Sequence, residues 1–172
     1  MANTIAPFGF EPIDPVKAED IDYFYLTAAQ TIYKGDPVIM VSTGYVSPGA
    51  AASTDAHLGI AVEYATDPTS TGLVKIGVIT NKRMRYRVQT KTGFSTPTIA
   101  RVFETSTIVT YAVGNTTTHQ SIMALDDSGT SHLPWVILGL WDSPTNSWAD
   151  GAIVVVRYGA DIALAAQGFP GI

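Results

Sequence analysis

The amino-acid sequence predicts an all-β protein: one compact β-sandwich or barrel with an extended N-terminal arm, a short C-terminal tail and at most one short helix. Three observations predict it. The apolar runs are short, and several alternate with polar residues at the period of a half-buried strand. Gly, Pro, Asn and Asp cluster between the runs at intervals of about 8–12 residues, the spacing of sandwiches and barrels. The runs are rich in Thr, Val, Ile and Tyr, residues that fit a pleated surface.

In chain order, residues 1 to 20 read as an arm, 21 to 160 as a β-rich body and 161 to 172 as a tail. Pro7, Pro12 and Pro15 each remove a backbone donor and hold the preceding residue extended. Phe8, Phe10, Ile13 and Val16 lie between them. An extended segment cannot bury such groups against itself, so it must lie along its own body or along a neighbour's. The tail repeats this design in Gln167-Gly168-Phe169-Pro170-Gly171-Ile172. Free ends are usually polar and frayed; these are not, and docking arms are expected.

The body begins with the β-prone run Tyr23-Phe24-Tyr25-Leu26. Lys34-Gly35-Asp36-Pro37 is a turn before the apolar Val38 to Val41, and Gly44, Pro48 and Gly49 punctuate a loop. Strands are expected at Gly59 to Tyr64 and Leu73 to Thr80, with Asn81-Lys82 as a tight link to the next. In that next strand Met84, Tyr86 and Val88 should face the core, and Arg85, Arg87 and Gln89 water or a partner. Thr96-Pro97 leading into 98–104 is the candidate short helix, Thr capping and Pro opening it. Ile108 to Val113 and Ser121 to Leu125 follow, the latter closed by the turn Asp126-Asp127-Ser128-Gly129. Trp135 to Trp141 is too apolar for a one-sided strand and reads as the central buried one. Ile153 to Tyr158 is the last strand. No internal repeat or linker is visible.

Composition narrows the function. Charged residues make up only 15% of the chain, below the usual level of about 25%. A surface with so few charges is suited to burial in an oligomer or larger assembly. Lys and Arg number 10 against 15 Asp and Glu, a net charge of −5. That balance lacks the basic stripe of a nucleic-acid binder. The absence of cysteine excludes disulfides, thiolate nucleophiles and Cys-based zinc sites. The N-terminus does not read as a signal peptide, and no apolar run reaches membrane-spanning length. The expected setting is a cytoplasm, or a particle assembled there.

Catalytic chemistry has no foothold. His57, His119 and His132 are isolated, without metal-ligand spacing, and their Ser/Thr/Asp-rich contexts read as solvated loops. Asp126-Asp127 reads as a turn rather than a paired carboxylate. No nucleophile elbow, phosphate loop or dinucleotide fingerprint is present. Neither catalysis, cofactor nor metal is expected. Trp135 and Trp141 read as core. Trp148, in a polar loop beside Asn146 and Asp150, is freer to stack on a sugar or to meet another subunit.

One resemblance adds to this. The opening Met1-Ala2-Asn3 with Pro7-Phe8-Gly9-Phe10 and Pro12-Ile13 is followed by Gly35-Asp36-Pro37-Val38, Leu58-Gly59-Ile60 and Tyr86-Arg87-Val88-Gln89. Val113-Gly114-Asn115, the Val136 to Trp141 strand, Asn146 and the Val-rich Ile153 to Val156 complete the order. This succession resembles the head decoration, or cement, proteins of tailed phages. One position departs: Glu11 stands where comparable proteins often carry a basic residue.

The resemblance implies a structural virion protein on the capsid exterior, assembled in the host cytoplasm. It implies a homo-oligomer, trimer favoured over dimer, that bridges major capsid protein subunits and stabilises the shell. Neither nucleic acid nor membrane is an expected partner. The expected capsid or subunit contacts are Pro7, Phe8, Phe10, Ile13, Trp148, Phe169 and Ile172. Deleting residues 1 to 15 should then leave a folded body that no longer binds heads. The alternative is another virion or tail component, or a glycan-binding β module on the particle surface.

Overall fold

The computed structural model describes residues 3–42, 44–49, 57–69, 72–93, 105–110, 114–126 and 135–159. The expected short helix at 96–104, His132, Phe169 and Ile172 lie outside the described residues. Among those described the protein is all-β, with a single 3-10 turn at Ala18–Asp20. The strands are β1 (Glu11–Pro12), β2 (Ile21–Leu26), β3 (Thr31–Ile32), β4 (Pro37–Ser42), β5 (Tyr45–Pro48), β6 (His57–Ala61) and β7 (Ala65–Thr66), followed by β8 (Lys75–Ile79), β9 (Arg85–Gln89), β10 (Thr105–Thr110), β11 (Met123–Asp126), β12 (Trp135–Leu140) and β13 (Ile153–Tyr158). Tyr45–Pro48, expected as loop, is a strand: Pro48 sits at its last position, where a missing N–H costs least.

The body is a compact all-β fold, as expected, built from more than one sheet. Strands β2-β5-β4-β6-β8 form a closed barrel, and β1-β9-β13-β12-β10-β11 form a six-stranded sheet. That sheet curls until its far edge meets the end of β9, where Thr90 bridges Leu125 in parallel and the Lys91 N–H donates to the Leu125 carbonyl at 2.9 Å. Lys91 also pairs with the Asp126 carboxylate. The Asn81-Lys82 link therefore joins two barrel-like units; β8 and β9 do not pair with each other.

The two units share one pairing scheme. Among the described residues each has a single parallel contact, between its first and third strands: β2 with β5, and the end of β9 with β11. Superposing Leu26–Val46 on Thr90–Leu125 carries the register around every other pair. Tyr25–Lys75 falls on Gln89–Ile153. Ile60–Ile79 falls on Val136–Arg157, and Pro37–Ile60 on Thr105–Val136. Met40–Val46 falls on Ile108–Leu125 and closes the cycle. Single hydrogen bonds match too: Leu26 N–H to Val74 O and Thr90 N–H to Ala152 O are both 2.8 Å, and Thr27 N–H to Val46 O equals Lys91 N–H to Leu125 O at 2.9 Å. The expectation of no internal repeat is thus corrected at the level of strand pairing.

Matched interior positions explain why residue identities conceal the repeat. Phe24, Val46, Ala61, Ile76 and Val78 of the first barrel correspond to Val88, Leu125, Ile137, Val154 and Val156 of the second. They share apolar character, which a barrel interior requires, but only the last pair shares a residue. Val38 completes the first interior beside Leu26. Ile60 and Ile79, on the outer wall of the first barrel, pack into the second cluster with Met84, Tyr86, Trp135 and Phe10. This apolar seam fixes the two barrels to each other, each fully buried large side chain contributing on the order of 1.5–3 kcal/mol.

Candidate interaction surfaces

The N-terminal segment is docked on its own chain, as a strap across the second barrel. Asn3 anchors its start: the side-chain Nδ2 donates to the carbonyls of Ser147, Ala149 and Asp150 at 2.9, 3.4 and 3.2 Å. Gln89 holds the next turn, its Oε1 accepting the Ala6 N–H at 2.8 Å and its Nε2 donating to Thr4 O and Gly151 O at 2.7 and 2.8 Å. Gln89 is thereby buried, although alternation had placed it facing water or a partner. Met84, Tyr86 and Val88 do face the core.

Further along, the Gln120 side chain donates to Phe8 O at 2.8 Å, and the Phe10 N–H donates to Gly35 O at 2.9 Å. Gly9 has φ +74°, and a Cβ there would collide with Ser121, so only glycine brings the strap this close. That approach inserts Phe10, whose ring lies 4.5 Å from Trp135 and edge-on to Tyr86 at 6.3 Å. Phe10 is 1% exposed. Its expected role as a subunit contact is corrected: the ring is spent in the chain's own core. Deleting residues 1 to 15 would therefore remove a core side chain, and the truncated body is not expected to fold normally.

Strand β1 then pairs with β9, Glu11 opposite Arg87 and Pro12 opposite Tyr86. The Ile13 N–H donates to Arg85 O at 3.0 Å. Alternation makes Pro12 the residue between bonded positions, so its missing N–H is not needed. Arg85 and Arg87, expected to face water or a partner, find partners in the strap. Arg87 pairs with Glu11 at 2.7 Å, between the rings of Phe8 (5.7 Å) and Trp141 (5.4 Å). Arg85 pairs with Asp14 at 2.5 Å and, with its own N–H, holds that carboxyl below the ordinary range. Glu11, the position that departs from the phage pattern, is thus complementary to Arg87 within the same chain.

Pro7, Phe8 and Ile13 remain half-buried along the strap. Trp148 is half-buried against the second core cluster rather than free in its loop. Trp135 is core as expected, whereas Trp141 is only half-buried, stacked over Arg87.

A different surface is bare. On the first barrel Tyr23 is 66% exposed and Leu73 73% exposed, with Tyr25 and Tyr45 beside them at 38% each. The Tyr25 and Tyr45 rings lie 6.1 Å apart, and the Lys75 ammonium sits 4.8 Å over Tyr25. Met40 and Val41 are also exposed. The run Tyr23 to Leu26 was read as a strand, but its exposed face was not identified; the i, i+2 tyrosines were the available signal.

The buried titratable groups serve structure. His57, expected in a solvated loop, is 2% exposed on β6 and accepts the Trp135 indole N–H at Nδ1, 3.0 Å, across the seam. Burial depresses its pKa to about 4, aided by Lys82. Lys82, itself pushed down to about 8 by burial, donates to His57 O and Leu58 O at 2.5 and 2.6 Å and lies 4.0 Å over the Tyr158 ring. Asp36 is raised to about 6 by burial, against hydrogen bonds from Ser121 and the Tyr33 N–H. His119 is exposed and stacks on Tyr64 at 4.0 Å. An apolar cleft between strap and first barrel, lined by Phe10, Pro12, Val16, Ile21, Val62 and Ile79, has, among the described residues, only Glu11, Lys34 and Gln120 as polar side chains. That set offers no nucleophile–base pair. Among the described residues no group of three or more His, Asp and Glu side chains could hold a metal, and no helix is long and apolar enough to cross a membrane.

Comparison with known proteins finds no match to any family model and none to a curated protein.

Proposed function

We propose that the chain is a capsid decoration protein: a non-enzymatic subunit that binds the outside of a tailed-phage head as an oligomer and bridges major capsid protein subunits. The observation that carries this reading is the bare face of Tyr23, Tyr25, Tyr45 and Leu73 on a closed barrel. Tyrosine supplies large contact area at low entropic cost and is enriched in protein interfaces. Low charge content and net acidity suit a surface that is partly covered and turned away from DNA. The motifs that carry the phage resemblance also meet in space: Phe10 of the opening motif bonds Gly35 of Gly-Asp-Pro-Val, and Tyr86 to Gln89 holds the strap.

The test is sedimentation of the purified protein with heads of the virus that encodes it, assembled without it. Binding that saturates at a fixed ratio to capsid protein and delays thermal rupture of the heads is the expected result. Protein that stays in the supernatant at saturating concentration would contradict the reading.

A further inference from the structure

The repeat makes one barrel a template for the other. Under the register match, Tyr23 and Tyr25 stand where Arg87 and Gln89 stand in the second barrel, and Lys75 where Ile153 does. In the second barrel these positions are covered by the strap, through Glu11 on Arg87 and through Thr4 and Ala6 on Gln89. Leu73, by the same match, falls on Gly151, where a side chain would run into Ile5 and Asn3 of the strap. The bare face of the first barrel is therefore the counterpart of a face known to take an extended segment.

The backbone matches as well. The first barrel's third strand, β5, pairs with β2 only at Tyr25 and Leu26. On that side Tyr25 and Thr27 donate to Gly44 O at 3.3 Å and Val46 O at 2.9 Å. Strand alternation then turns the N–H and C=O of Tyr23 the same way, where no strand pairs with it among the described residues. Its counterpart Arg87 is the position that pairs with Glu11 of β1. Lys75 adds a charge requirement: among the described residues it has no carboxylate within ion-pair distance.

The geometry points to a receptor site for β-strand addition. The open edge of β2, flanked by Tyr23, Tyr25, Tyr45 and Leu73, takes an extended, proline-containing apolar segment from a different protein chain. An acidic residue of that segment meets Lys75, and main-chain bonding to β2 supplies register. This uses the face that carries the capsid reading and names what that face takes, yet the two are distinguished by experiment: a chain that ignores heads can still take the segment, and one that binds heads can refuse it.

The probe is a synthetic peptide of residues 3–14 of this chain, titrated into the full-length protein and followed by NMR. Saturable shifts at Tyr23, Tyr25 and Tyr45 are expected. Tyr23→Ser should weaken binding roughly tenfold, the loss of one good aromatic contact, with an unchanged melting temperature. A peptide carrying Glu11→Lys should bind more weakly to the natural protein and recover on Lys75→Glu. Absence of saturation, shifts confined to Arg85–Gln89, or no recovery in the charge swap would overturn the proposal. Shifts at the same tyrosines on concentrating the protein alone would assign the face to a second copy and overturn it as stated.

Discussion

Where the second barrel presents Arg87 and Gln89 to a strap that covers them, the first presents Tyr23 and Tyr25 to solvent. Pairing order, the parallel contact and the register are the same in both. What differs is the chemistry of the outer wall and of a few interior positions. The covered wall is polar and satisfied by bonds within the chain; the bare wall is aromatic and aliphatic. A wall whose work is finished inside the chain can be polar, because its partners are fixed. A wall awaiting an outside partner keeps area that gains from dehydration.

The largest expected effect lies where strap and seam meet. Phe10→Ala should cost about 3–5 kcal/mol in chemical denaturation, far more than any change on the strap's surface. A cost below about 1 kcal/mol would mean that the strap is an appendage rather than part of the core.

Next is the proton linkage of the seam. His57, with its pKa depressed to about 4, contributes stability that is present above its ordinary value of 6.5 and lost as pH falls through 4. Asp36, raised to about 6, contributes stability that is present below 3.8 and lost as pH rises through 6. The two slopes oppose each other between pH 4 and 6. Asp36→Asn should leave stability that falls on acidification across that range, and His57→Gln stability that rises. Melting temperature against pH for the two variants checks the signs; slopes of the same sign would break the account.

A smaller effect follows from comparing interiors. Thr90 stands where the first barrel has Leu26; both are 0% exposed, but the Thr90 hydroxyl has no hydrogen-bond partner among the described residues. Thr90→Val keeps the shape and removes the stranded hydroxyl, and should raise stability by about 1 kcal/mol, measured by denaturant midpoint. The smallest effect is expected at Glu11→Ala, an exposed ion pair worth about 0.2–1 kcal/mol, with the bonded strap amides of Ala6 and Phe10 still protected.

Much of the β character was legible in the sequence, because barrel interiors impose alternation: Met84, Tyr86 and Val88 were placed correctly from period alone. Trp135 also read as buried from its apolar run. The repeat was illegible because its interior positions conserve hydrophobic class and not residue identity, as Phe24 and Val88 illustrate. Gln89 and His57 misled for a shared reason. A polar side chain can be buried when specific partners satisfy it, and those partners, Thr4 and Ala6 in one case and Trp135 in the other, lie 78 or more residues away. The strap's apolar content was read correctly as demanding burial, yet Phe10 and Phe8 looked alike. Only the close approach at Gly9 separates the one that enters the core from the one that stays half-buried.

The difference between the two barrels is tested most directly by amide hydrogen exchange at the matched residues Tyr23 and Arg87, in dilute protein without a partner. Tyr23 should exchange about a hundredfold faster or more than Arg87, because one faces an open edge and the other is paired with Glu11. Equal protection at the two positions would contradict a bare, receptive edge on the first barrel.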